Sequence, residues 1–113
     1  MKAVILGAIL ATVLAASAHA LTASEVYHDC KLAPNDPDAI VSCTAYMRGL
    51  MDGLDFASAM ESSGNRYCAP ENMDLTQFEL VVIREMEAHP ENLNAPAGIT
   101  AGIALYKAFR CKR

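Results

Sequence analysis

Apolar positions recur at three- and four-residue steps through most of the chain beyond residue 20, and the residues that interrupt them are helix caps and breakers. Thr22 with Glu25 forms a capping box, which predicts a short helix from Ala23 to about Leu32. Ala33-Pro34-Asn35 breaks it. Asp36 then serves as N-cap with Pro37 at the first helical position, and a long helix runs from Pro37 to about Glu61. Ile40, Cys43, Met47, Leu50, Leu54 and Ala57 form its apolar stripe. Gly49 and Gly53 lie one turn apart beside that stripe. A helical glycine costs about 1 kcal/mol relative to alanine, so the pair predicts either close approach of another backbone or a locally soft helix.

Ser62-Ser63-Gly64-Asn65 ends the long helix, and Arg66 to Met73, with Pro70, reads as an extended loop. Asp74, three residues before Gln77, caps a third helix with Leu75, Phe78, Val82 and Met86 on one face. His89-Pro90 ends it, because the residue before proline avoids the helical region. A fourth helix starts near Ala95-Pro96 and reaches Phe109 or Arg110. It carries almost no charge before Lys107, which predicts a central place in a bundle or a share in a dimer interface, and Gly98 and Gly102 give it a small-residue ridge. The expectation is an all-α fold, a small four-helix bundle-like domain over residues 21–113.

The first 20 residues read differently. Lys2 precedes an apolar run from Ala3 to Ala16, and Ala18-His19-Ala20 is a small-x-small cleavage pattern. The run is short and alanine-rich for a spanning helix, so residues 1–20 are expected to be a bacterial export signal. Cleavage after Ala20 leaves 93 of the 113 residues as one small domain. It also removes one of 9 basic side chains against 13 acidic ones, taking the net charge from −4 to −5. That balance argues against nucleic acid or anionic membrane as partner and permits a basic protein.

Export changes the reading of Cys30, Cys43, Cys68 and Cys111. In an oxidising compartment they are expected to pair, and four cysteines allow three connectivities that spacing does not decide. We favour Cys30–Cys43, across one short turn, and Cys68–Cys111, from the loop to the end of the last helix. A zinc site is the competing use, but the spacings resemble no compact ligand knuckle.

Little in the chain suggests catalysis or a cofactor. Pairing consumes every thiol, and no serine sits in an elbow motif. Asp52 and Asp55 share a helix face, a spacing typical of a wetted surface. His28 reads as a surface residue, and His89 as a helix C-terminal partner. No metal, cofactor or enzymatic activity is expected.

An ordered set of pieces resembles a known family. These are Cys30; Cys43-Thr-Ala-Tyr46-Met-Arg-Gly49-Leu-Met-Asp52-Gly53; Tyr67-Cys68-Ala-Pro70; a Gln77-containing helix leading to His89-Pro90-Glu91; and Ala104-Leu105-x-x-Ala108-Phe109-x-Cys111. The set looks like the Rap/Tai family of type VI secretion immunity proteins, with Arg110 standing where the family usually has proline. The resemblance implies a helical, disulfide-bonded periplasmic protein, often a homodimer, that binds and inhibits a peptidoglycan amidase effector. A periplasmic acid-stress chaperone-like role, and a structural envelope role without a toxin, are the alternatives.

An inhibitor of a cleft enzyme needs a segment ordered before it binds. Ser62–Asp74 and His89–Pro96 both qualify. We favour the first, with Asn65, Arg66, Tyr67 and Glu71 as partner-binding residues, since Tyr and Arg are good interface anchors. The alternative is that Tyr67 packs on the core beside its disulfide and Arg66 is merely solvated.

Overall fold

A computed structural model describes residues 20–61 and 67–112. Residues 1–19, most of the expected export signal, residues 62–66, with the expected helix end at Ser62–Asn65, and residue 113 lie outside the described residues. Four α-helices follow in order: α1, Ala23–Leu32; α2, Pro37–Met60; α3, Leu75–Ala88; and α4, Ala97–Ala108. Single 3₁₀ turns at Ala33–Asn35 and Pro90–Asn92 connect α1 to α2 and α3 toward α4. The described residues contain no strand, only isolated antiparallel bridges at Thr22–Pro96 and Tyr67–Arg110. Among them no helix is long and apolar enough to cross a membrane.

The caps are those the chain encodes. Thr22 Oγ1 accepts from the Glu25 amide at 3.2 Å, and the Glu25 carboxylate accepts from the Thr22 amide at 2.7 Å. Asp36 Oδ1 accepts from the amides of Asp38 and Ala39, and Pro37 needs no acceptor. Asp74 and Gln77 exchange side-chain and backbone bonds at 2.8 and 3.3 Å. Each closes amides that the first helical turn leaves unpaired.

Two of α1's free amides find backbone partners far away in sequence. Ala23 donates to the Ala95 carbonyl at 2.9 Å, and Ser24 to the Leu93 carbonyl at 2.8 Å. Ala97 donates back to Leu21 at 2.7 Å. The start of α1 is thereby locked onto the start of α4.

α3 brings the largest side chains to the core. Phe78, Val82 and Met86 are buried without remainder, against Val26 and Cys30 of α1, Cys43 and Met47 of α2, and Ala97, Ala101 and Leu105 of α4. Alanines on α4 admit close packing with α3. At the surface Glu87 of α3 accepts from Tyr27 and Lys31 of α1 at 3.2 and 3.1 Å. Lys107 of α4 donates to Glu85 of α3 at 2.6 Å.

Both favoured sulfur bonds are present, Cys30–Cys43 with Cα atoms 5.0 Å apart and Cys68–Cys111 with Cα atoms 4.9 Å apart.

Three expectations need correction. The stripe of α2 is shifted at its start: Ala39 is buried with Cys43 and Met47, while Ile40 is 45 % exposed. The reason is that α1 crosses α2 at the disulfide, and residue 39, four before Cys43, faces it. Beyond Met47 the helix leaves the core, so Leu50 and Leu54 are only half-covered and Ala57 is exposed. Among the described residues Gly49 and Gly53 meet no other part of the chain, since a Cβ at either would find nothing within 4 Å. Within this chain, close approach therefore does not explain them. Finally, α4 is not central. It buries Ala97, Ala101, Ala104 and Leu105 and exposes Ile99 and Ile103, because α1 and α3 pack on one face of it and leave the other uncovered.

The covalent links generate a stability prediction. In the chain-entropy account, closures over separations of 13 and 43 residues stabilise by about 3 and about 4 kcal/mol. Urea unfolding of the Cys68→Ala/Cys111→Ala and Cys30→Ala/Cys43→Ala double variants should show losses of roughly these sizes, the first larger.

Candidate functional site

The segment after α2 is held against the end of α4 by one covalent and two non-covalent devices. Cys68 is bonded to Cys111, the Cys68 amide donates to the Phe109 carbonyl at 2.7 Å, and Tyr67 bridges Arg110. The amide bond also satisfies a carbonyl that the last turn of α4 leaves open. Tyr67 is only 8 % exposed, and its ring meets Phe109 edge to face, with centroids 6.2 Å apart. Of the four expected contact residues, Tyr67 is therefore an inward anchor. The bridge to Arg110 and the adjoining disulfide hold its backbone against the core, and its ring fills the space beside Phe109. Its proximity in sequence to Cys68 was the signal for this role.

Asn65 and Arg66 lie outside the described residues. Glu71 is exposed on the turn that follows Pro70, where the Met73 amide donates to the Pro70 carbonyl at 3.1 Å. Glu71 thus stands in water and Tyr67 in the core.

The Tyr67 hydroxyl is buried and has no hydrogen-bond partner among the described residues. Burial, with a smaller contribution from the Asp55 carboxylate, pushes its pKa up to about 12.

The second expected segment, residues 89–96, is also rigid. His89 caps the C-terminus of α3, with Nδ1 3.1 Å from Glu91 and Nε2 3.6 Å from Glu85. The Pro90–Asn92 turn follows, and the bonds from Ala23 and Ser24 fix Leu93 and Ala95.

Ser42 Oγ donates to Asp29 at 2.6 Å, and His28 Nδ1 stands 3.9 Å from the same carboxylate. That order places the serine on the acid and not on the imidazole, which is the wrong sequence for activating a nucleophile. Asp52 and Asp55 are exposed. Cys30, Cys43 and Glu79 converge with their ligand atoms within 4.8 Å of one another, but both sulfurs are consumed in the disulfide and offer no thiolate to a metal.

Part of the exposed apolar surface lies along α4, where it faces Leu54 of α2. A groove of about 430 Å³ is lined by Leu54, Gly98, Ile99, Gly102, Ile103 and Tyr106, with Lys107 at its edge. Ile99 is 60 % exposed, and farther along α2 Phe56 and Met60 reach 69 % and 70 %. A Cβ at Gly102 would meet nothing within 4 Å, and one at Gly98 only the Tyr46 hydroxyl at 3.8 Å. Sequence reading recognised the apolar character of α4 but not which side of it stays uncovered.

Among known proteins, the family model described as Rap1a immunity proteins matches residues 22–111, nearly the whole described region. No curated protein and no solved structure matches at a significant level.

Two predictions follow from this chemistry. Removing the unpartnered hydroxyl by Tyr67→Phe should leave stability unchanged or raise it by about 1 kcal/mol in urea unfolding, since no hydrogen bond is lost and a buried polar atom disappears. In acid, the carboxyls should titrate in a fixed order. The hydrogen bond from Lys31 holds the Glu87 carboxyl below its ordinary 4.5, and a backbone amide together with His89 does the same for Glu91. Their stabilisation is present above about 4.5 and is lost as pH falls through their lower folded values. Burial raises Glu79, so its contribution has the opposite sign, present below about 4.5 and lost as pH rises through its higher folded value. Carboxyl NMR on acidification should show Glu79 protonating before Glu87 and Glu91.

Proposed function

The chain belongs to the Rap1a immunity protein family, and we propose that it is exported to the periplasm, where it binds and inhibits a peptidoglycan amidase delivered by type VI secretion. Members of such a family act by binding a protein effector. The amidase, the periplasmic location and cleavage after Ala20 are the finer parts of the proposal. The two disulfides and the export-like first 20 residues support the periplasmic location and the cleavage, since both suit an oxidising compartment.

The observation that carries the reading is the pinning of Tyr67 and Cys68 onto the end of α4. A segment fixed at this point loses less conformational freedom on docking into a cleft, so more of its contact energy appears as affinity. In this scheme Tyr67 is the buried anchor, while Asn65, Arg66 and Glu71 on either side of it supply the contacts. The acidic balance of the chain favours a partner with a basic rim.

The family's dimeric habit finds support on α4. Ile99, Ile103 and Tyr106 form an apolar strip that two copies could bury against one another, with Gly98 and Gly102 allowing their helices to approach closely.

One set of solution measurements tests both parts. Light scattering should give twice the chain mass, and Ile103→Asp should halve it. Added to the amidase encoded beside its own gene, the protein should co-elute with it and stop peptidoglycan hydrolysis. Arg66→Ala should weaken the complex about tenfold, or roughly 1.4 kcal/mol. Failure of the two proteins to co-elute would remove the amidase reading, and a monomeric mass would remove the dimer.

A further inference from the structure

Glu79 has no evident structural task. It lies on α3, half-buried beside the Cys30–Cys43 bond, with a carboxylate oxygen and both sulfurs all within 4.8 Å of one another. Among the described residues no hydrogen bond or ion pair engages it. A carboxylate partly withdrawn from water beside two sulfurs, with no protein partner among the described residues, is a modest cost that packing does not explain. Cys68–Cys111 has no counterpart, since among the described residues no carboxylate or imidazole joins those two sulfurs in a comparable cluster.

We infer that Glu79 is the proton acceptor for closure of the Cys30–Cys43 bond, taking the proton of the thiol that makes the closing attack. The oxidant is an external disulfide. The thiolate of one cysteine attacks it, forming a mixed disulfide and expelling the first external thiolate. The remaining thiol then passes its proton to the Glu79 carboxylate as its sulfur attacks the bonded cysteine. The Cys30–Cys43 bond forms, and the second external thiolate leaves and is reprotonated from the Glu79 carboxylic acid through water. One disulfide and two thiols enter, and one disulfide and two thiols result.

A separation within 4.8 Å suits transfer through one water. Burial raises the Glu79 carboxyl, which makes it a stronger base toward a thiol than a carboxylate in water. The size of the effect is bounded. A thiol is already a few per cent ionised near pH 7, so complete deprotonation gains at most roughly thirtyfold. The competing effect has the opposite sign. As a bystander charge, Glu79 would repel a forming thiolate and slow closure, so its removal would accelerate it.

The test uses the protein with all four cysteines, reduced in denaturant and diluted into glutathione disulfide. Acid-quenched samples are mapped by mass spectrometry, so that each bond is timed in the same molecules. Near pH 7, Glu79→Gln should close Cys30–Cys43 about tenfold more slowly than the natural chain, within the bound set by thiol ionisation. Closure of Cys68–Cys111 should be unchanged. The difference should vanish near pH 9.5, above the ordinary thiol pKa of about 8.5, where the thiolate forms unaided. Glu79→Asp should restore part of the rate. Equal slowing of both bonds, which is the mark of a folding defect, would overturn the inference. So would an unchanged or faster closure of Cys30–Cys43.

Discussion

Covalent sulfur links at two places hold together a core that is thin for four helices. Among the described residues fifteen apolar side chains are buried, and five of them are alanines, each of which withdraws little area from water. A domain of this size has a small margin between burial and the entropy of ordering the chain. The links shift that margin by restricting the unfolded state, and each acts at a place where helices alone would not close. Cys30–Cys43 fixes where α1 crosses α2. Cys68–Cys111 fixes the return of the chain to the end of α4.

The remaining architecture follows from how the helix ends are satisfied. The amides of Ala23 and Ser24 use carbonyls of residues 95 and 93, and the carbonyl of Phe109 receives the amide of Cys68. Each end of α4 is therefore tied to a segment distant in sequence. The two connecting segments, around residues 67–73 and 89–96, are held as part of the framework, and their polar faces remain in water. Such an arrangement suits a protein whose activity is recognition, because the surface it offers is ordered before a partner arrives.

The same economy leaves surface uncovered. The second half of α2 extends past the core, and α4 buries one face only, so Phe56, Met60, Ile99 and Ile103 stand in solvent. Four glycines lie on these two helices, and none is crowded within the chain. Their cost in helix propensity is set against nothing inside the monomer. The proposed assembly of two copies would give them a reason.

How much was legible in the chain depended on the range of the interaction. The caps at Thr22, Asp36 and Asp74 and the stop at His89-Pro90 each involve residues within three or four positions, so the primary sequence alone established all four helices and their bounds to within two residues. The all-helical class followed from them, and the short turn between Cys30 and Cys43 made the observed pairing the favoured one. Tertiary structure decided what no local rule contains. It turned Tyr67 inward, shifted the buried face of α2 from Ile40 to Ala39, left Gly49 and Gly53 uncrowded, and brought Glu79 to a disulfide whose cysteines lie on two other helices. The physical reason is that periodicity states which residues share a face of a helix. Which faces are covered, and by what, depends on how the helices cross, and that is set by long-range packing.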